Sequence, residues 1–176
     1  MSTEPSAQTG QPPSAKPSLR IRPARAGDLP ALMSLATRLA EFPMPNWRTG
    51  GQVIDAERAT VARALEAPSP DTPLFVAEDN EGRPVGFALL ETHQDYFTGR
   101  SHAHVSVLVV SGTMEGRGVG RLLLATAEAW ARDRGHPFIT LNVFAQNTRA
   151  RALYERVGFG PETLRYVKPL DQPHDR

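Results

Sequence analysis

The sequence contains no cysteine. Disulfides, thiol nucleophiles, covalent relays through a cysteine and cysteine-based metal sites are excluded together. It has no run of 18 apolar residues, so no membrane-spanning helix is expected. No basic-then-apolar pattern opens the chain, so no secretory leader is expected either. Neither sign of charge dominates. Twenty Lys and Arg against 19 Asp and Glu leave a formal net charge of +1, which supplies no global field toward nucleic acid or an anionic membrane. The five histidines are scattered, without a ligand spacing such as H-E-x-x-H, and no metal is expected. Together these absences point to a cytoplasmic protein. Its 176 residues suffice for one domain with a real core.

The stretch that is rich in signal is residues 108–124, LVVSGTMEGRGVGRLLL. An apolar strand end runs into a polar turn, then three glycines (Gly116, Gly118, Gly120), then an apolar helix. A glycine turn feeding a helix start aims free N–H groups and the positive helix end at one point, which is an anion site. Arg117 and Arg121 flank it. A P-loop is excluded because no Lys follows the glycines. A dinucleotide fingerprint fails too: Arg121 stands where its third glycine belongs, and the downstream strand ITLNV carries no acid. The turn alone is also compatible with a plain strand-to-helix connection.

Elsewhere the chain reads as alternating elements. Residues 1–18, mostly Ser, Pro, Gln, Thr and Ala, cannot bury enough surface to offset ordering, so a disordered tail is expected. One domain is expected over 19–170, with a frayed end over 171–176. Residues 19–25 alternate as a first strand. Asp28 is the expected N-cap of a helix with Pro30 in its first turn. Residues 41–53 read as a loop in which Phe42, Met44 and Trp47 either cover core or wall a pocket. A second helix is expected over 55–65. Residues 74–78 and 84–92 form a hairpin about Asn80-Glu81-Gly82. In the strand over 101–110, period two puts His102, His104, Ser106, Leu108 and Val110 on one face and Ala103, Val105, Val107 and Val109 on the core face. Val119, Leu122, Leu123, Thr126 and Trp130 pack the next helix, which Gly135 ends. A strand over 138–144, a helix over 147–157 and a last strand pair ending near 166–170 follow.

Two motifs carry a family resemblance. E-G-R-G-V-G resembles the R/Q-x-x-G-x-G/A pyrophosphate loop of the GNAT superfamily of N-acetyltransferases. L-N-V-F-A-Q-N-T-R-A-R-A-L-Y-E-R-V-G-F, residues 141–159, resembles that family's next signature. The resemblance covers residues 19–170. It implies an α/β (α+β) fold: a mixed, mostly antiparallel six- to seven-stranded sheet, about four helices and splayed central strands. It implies acetyl-CoA as acyl-donor cosubstrate, and an amine-bearing acceptor, either a small molecule or a protein N-terminus or lysine. A homodimer is allowed by it.

By the same resemblance the cofactor-binding residues are Leu108, Val109 and Val110 through their backbone, Glu115, Gly116, Arg117, Gly118, Val119, Gly120 and Arg121 around the pyrophosphate, and Asn147 and Tyr154 beyond it. Glu115 departs from the Arg or Gln that the family prefers. Transfer to an amine needs a base and an acid for the leaving thiolate. A primary amine lies about three pKa units from neutral pH. His104 and Glu91 are the candidate bases, with a water relay as the alternative, and His102 and Ser106 are on the same side. In N-x-x-A-x-x-L-Y, which Asn147, Ala150, Leu153 and Tyr154 match, the tyrosine is the general acid. Direct transfer in a ternary complex is the expected mechanism. A CoA- or acyl-CoA-binding sensor without catalysis is the alternative.

Overall fold

The computed structural model describes residues 18–170. The tail expected over 1–18, apart from Ser18, and the frayed end expected over 171–176 lie outside the described residues. Five strands form one sheet in the order β1 (Arg20–Pro23), β2 (Leu74–Glu78), β3 (Pro84–Gln94), β4 (Ser101–Val110) and β5 (Ile139–Leu141). All neighbours are antiparallel except β4 and β5, which run parallel. The helices are α1 (Leu29–Leu35), α2 (Gly50–Glu66), α3 (Val119–Asp133) and α4 (Thr148–Arg156). Among the described residues no helix is long and apolar enough to cross a membrane.

Helices α1 and α2 cover one face of the sheet. Leu32, Ala36 and Val61 meet Val76, Phe87, Leu89, Val107 and Val109 there, all buried. Helix α3 covers the other face, where Val119, Leu123, Leu124 and Ala127 meet Val85, Ala88, Leu90 and Val105. Each fully buried side chain of this size contributes about 1.5–3 kcal/mol.

Four expectations are corrected. The sheet has five strands, not six to seven, because residues 160–170 form no strand and β5 spans three residues rather than 138–144. Helix α2 starts at Gly50, earlier than expected. Thr49 caps it, accepting from Gln52 N while the Gln52 side chain accepts from Thr49 N. Asp28 is not a side-chain cap of α1. Its carboxylate instead accepts from Arg25 N and from Arg22. Finally, strict alternation fails in β4. Leu89 pairs with Val107 and Leu90 with Val105, so Ser106 is an extra residue opposite them. This bulge reverses the faces beyond it. Val107 and Val109 join the α1/α2 core while Val105, Leu108 and Val110 pack on the α3 side.

The Arg22 guanidinium is buried between two carboxylates, 2.7 and 2.8 Å from Asp28 and 2.5 Å from Glu78. Its hydrogen bonds hold the Asp28 carboxyl below the usual carboxylate range despite burial. Arg22→Met leaves the buried Asp28 and the partly buried Glu78 carboxylates without their cation and is expected to cost about 3–5 kcal/mol in a denaturant titration. The acid dependence checks the cause. Asp28's depressed pKa stabilises the native protein above the unfolded carboxylate pKa, and that stability is lost as pH falls through the folded value. Without Arg22 the largest cause of that depression is gone, so acidification is expected to cost the variant less stability than it costs the wild type.

Candidate active site

Strand β4 is paired with β3 along its length, up to Gly86 and Val110, but with β5 only through Val105. Beyond Val105 the two strands part, and the outer edge of β4 faces a cleft of about 960 Å³. The backbone groups of Leu108, Val109 and Val110 on that edge are therefore available to an extended ligand. Asn142, Val143 and Phe144 form the opposite wall. Phe42 closes one side, its ring 5.2 Å from that of Phe144, whereas Trp47 is exposed.

The glycine turn lies at one end of the cleft. Gly116 and Gly118 have φ of +70° and +87°, the left-handed region that side-chain-bearing residues avoid. Gly118 is the residue from which α3 starts. The N–H groups of Gly116, Gly118, Val119, Gly120 and Arg121 make no hydrogen bond within the described residues. Gly120 serves a different purpose. A Cβ there would lie 2.9 Å from Leu153 Cδ2, so its smallness lets α3 and α4 cross closely. Glu115, Val119 and Arg121 also line the cleft, but Arg117 is exposed and is not part of its lining.

Glu115 is not a bare anion. Its Oε1 accepts from Arg38, and from Arg149 at 2.5 Å, and Arg38 also pairs with Glu41 at 2.9 Å. Arg38 packs on Gly112, where a Cβ would collide with its Nη1. Neither arginine was singled out from sequence. They lie 77 and 34 residues from Glu115, and no local pattern connects them.

Asn147 lines the cleft and also caps α4, accepting from Ala150 N at 3.1 Å. Tyr154, two turns further, lines the same cleft and packs edge-on against Phe159. Burial pushes its hydroxyl up to about 12, so it stays protonated across the physiological range.

The candidate bases gather around the bulge. Ser106 lines the cleft and donates to Glu91 Oε2 at 2.5 Å. His93 lies 3.2 Å from the same oxygen and stacks on His104, with ring centroids 4.4 Å apart. His104 and Glu91 are not themselves cleft-lining. His104 is buried, its Nδ1 2.8 Å from the Thr140 hydroxyl. That hydroxyl donates to Ala103 O, which assigns the proton to His104 Nδ1 and leaves Nε2 as the lone pair. Burial, then the neighbouring His93, pushes His104 down to about 4, so it is neutral at pH 7. Burial of Glu91 works to raise its pKa, but the hydrogen bonds from Ser106 and His93 outweigh it and the net shift is downward. Glu57, on α2, lines the cleft. Burial and then the charge of Glu91 raise its pKa. His102 is buried against Phe138 and lies away from the cleft lining.

The family model described as Acetyltransferase (GNAT) family matches residues 36–159. None of the curated proteins compared with the chain matches it. Among solved structures, it is similar to an aminoglycoside N-acetyltransferase in complex with CoA, at 21% identity and a TM-score of 0.67, covering 91% of this chain and 99% of that one. It is similar to glucosamine-6-phosphate N-acetyltransferase from Arabidopsis thaliana, at 15% identity and 0.62, covering 88% and 99%. A Trypanosoma brucei acetyltransferase gives 23% and 0.61, covering 87% and 100%. At these identities the structural likeness is one of fold.

Proposed function

Because this chain belongs to the GNAT acetyltransferase family, whose acyl donor is acetyl-CoA, we propose that its domain over residues 19–170 transfers the acetyl group directly to an amine in a ternary complex. The observation that carries this reading is the single cleft that joins the glycine turn, the free edge of β4, Tyr154 and Ser106. Donor phosphate, donor arm, leaving sulfur and attacking nitrogen each have a matching group along it.

Pyrophosphate meets the N–H groups of Gly116, Gly118 and the start of α3, with Arg121 beside them. Each hydrogen bond to such a charged group contributes about 1.5–3 kcal/mol. The acceptor nitrogen forms its bond to the carbonyl carbon as the carbon–sulfur bond breaks. The nitrogen's proton passes to the Ser106 hydroxyl, whose own proton moves to Glu91. Glu91 suits this role because its partners keep it ionised. The low pKa of His104 makes it a support for His93 and Glu91 rather than the first proton acceptor. Tyr154, protonated, donates to the leaving sulfur. Glu57 and Glu91 give the acceptor end negative character, which favours a cationic amine, the class to which aminoglycosides belong.

Release of free thiol from acetyl-CoA tests the reading, and the chain's lack of cysteine removes background from a thiol reagent. Release that rises with a primary amine supports transfer. Tight acetyl-CoA binding with no release against any cationic amine would favour the sensor instead.

Glu115 gives a separate prediction. Its carboxylate occupies two arginines at the mouth of an anion site. Glu115→Gln removes a like charge and frees Arg38 and Arg149, so CoA is expected to bind about three- to tenfold more tightly at low salt, the gain shrinking as salt screens it. Calorimetric titration at two salt concentrations measures this. Unchanged affinity would mean that backbone N–H groups alone set the binding.

A further inference from the structure

Three acids line the cleft: Glu57, Glu115 and Glu128. Two of them have cations. Glu115 accepts from Arg38 and Arg149, and Glu128 pairs with Arg132 at 2.7 Å. Glu57 makes no hydrogen bond or ion pair among the described residues. Its burial and the charge of Glu91 both disfavour its ionised form. A half-buried carboxylate in this position lacks a cation, and an incoming ammonium group supplies one. The charge it feels is that of Glu91, to which Ser106 donates, so Glu57 lies toward the Ser106 end of the cleft rather than at the glycine turn.

The wall that accompanies Glu57 is apolar. Val53 stands one turn earlier on α2 and shares its face. Leu39 and Phe42 come from the chain between α1 and α2, and the Phe42 ring meets that of Phe144. All four side chains line the cleft. Arg38 lines it too, but its terminal nitrogens are taken by Glu41 and Glu115. This wall offers one negative charge and no hydrogen-bonding side chain beside it. A polyhydroxylated ring laid there loses water from its hydroxyls without replacement, and the amide groups of a peptide fare the same. An alkyl or aryl group gains by leaving water.

We propose that Glu57 anchors the acceptor's cation while Leu39, Phe42, Val53 and Phe144 select its body, so that the acceptor is a small amphipathic amine, one ammonium group on an alkyl or aryl frame. This rests on the transfer reading for the kind of molecule that enters the Ser106 end. It narrows the cationic amines admitted there to those with an apolar body, which sets polyhydroxylated amines such as aminoglycosides aside.

Calorimetric titration of the full chain loaded with CoA reads acceptor binding apart from turnover. The probes are 2-phenylethylamine, glucosamine, spermidine and a tripeptide with a free N-terminus. 2-Phenylethylamine is expected to bind about ten- to a hundredfold more tightly than each of the others. Glu57→Gln keeps the side chain's shape and removes a charge that burial disfavours, so it is expected to fold and to take CoA. The same variant is expected to weaken 2-phenylethylamine about ten- to a hundredfold. Phe42→Ala is expected to narrow the preference for 2-phenylethylamine over glucosamine. The proposal is overturned if glucosamine, spermidine or the tripeptide binds as tightly as 2-phenylethylamine, if no probe binds, or if Glu57→Gln leaves 2-phenylethylamine affinity intact. Thiol release from acetyl-CoA, measured beside the binding, keeps this apart from the transfer reading. Binding in the expected order without release sinks transfer and leaves the anchor standing. Release with the order reversed does the opposite.

Discussion

Replacing Tyr154 with phenylalanine is expected to lower turnover about ten- to a thousandfold, the range in which one positioned proton donor acts, while acetyl-CoA affinity stays within about twofold. The division follows from where the side chain sits. Its ring packs on Phe159 and the α3-side core, which phenylalanine preserves. Its hydroxyl makes no hydrogen bond to another described group, so removing it leaves no orphaned partner. What is lost is a proton donor on the cleft wall. Burial has already moved that hydroxyl to about 12, above the usual value for tyrosine, so it is a hydrogen-bond donor to the leaving sulfur rather than a closely matched acid. Steady-state turnover beside calorimetric acetyl-CoA affinity separates the two effects. Unchanged turnover would remove Tyr154 from the mechanism.

Gly118→Val is expected to weaken CoA binding by about a hundredfold or more. Two effects add. At φ of +87° a side chain of L configuration costs about 1–2 kcal/mol, and a β-branched one more. Relaxing that strain turns the N–H groups of the anion site away from their common point, at a loss of about 1.5–3 kcal/mol for each charged hydrogen bond. Gly82→Val is the control. Gly82 has φ of +74° in the β2–β3 turn and no neighbour within 4 Å of a Cβ. It is expected to lower stability in the same way and leave CoA affinity alone. Equal CoA affinity in Gly118→Val and wild type would place the phosphates elsewhere.

The parts of this molecule that could be read from sequence are those written in local patterns. The glycine turn, the helix after it, and the Asn147-to-Tyr154 spacing are all short-range, and each is found where expected. The hairpin about Gly82 follows from period two and from turn chemistry. The bulge at Ser106 leaves no such mark. Residues 102–107 alternate polar and apolar straight through the bulge, and only the register against β3 shows that one residue is extra. Arg38 and Arg149 converge on Glu115 from distant elements. From sequence Glu57 reads equally as an acid that attracts a cationic amine and as ordinary surface charge, and only its place on α2 puts it in the cleft lining. A last strand pair ending near 166–170 is expected after Gly158-Phe159, but residues 160–170 form no strand and the outer edge of β5 stays unpaired among the described residues.

The most direct measurement follows the acetyl group itself through one turnover, with acetyl-CoA labelled in its acetyl carbons and a cationic primary amine in excess. The account predicts one labelled acetyl on the amine for each CoA thiol freed, and none on the protein at any time. Label that stays on CoA with every amine offered, or that accumulates on the protein before reaching the amine, would contradict direct transfer in this cleft.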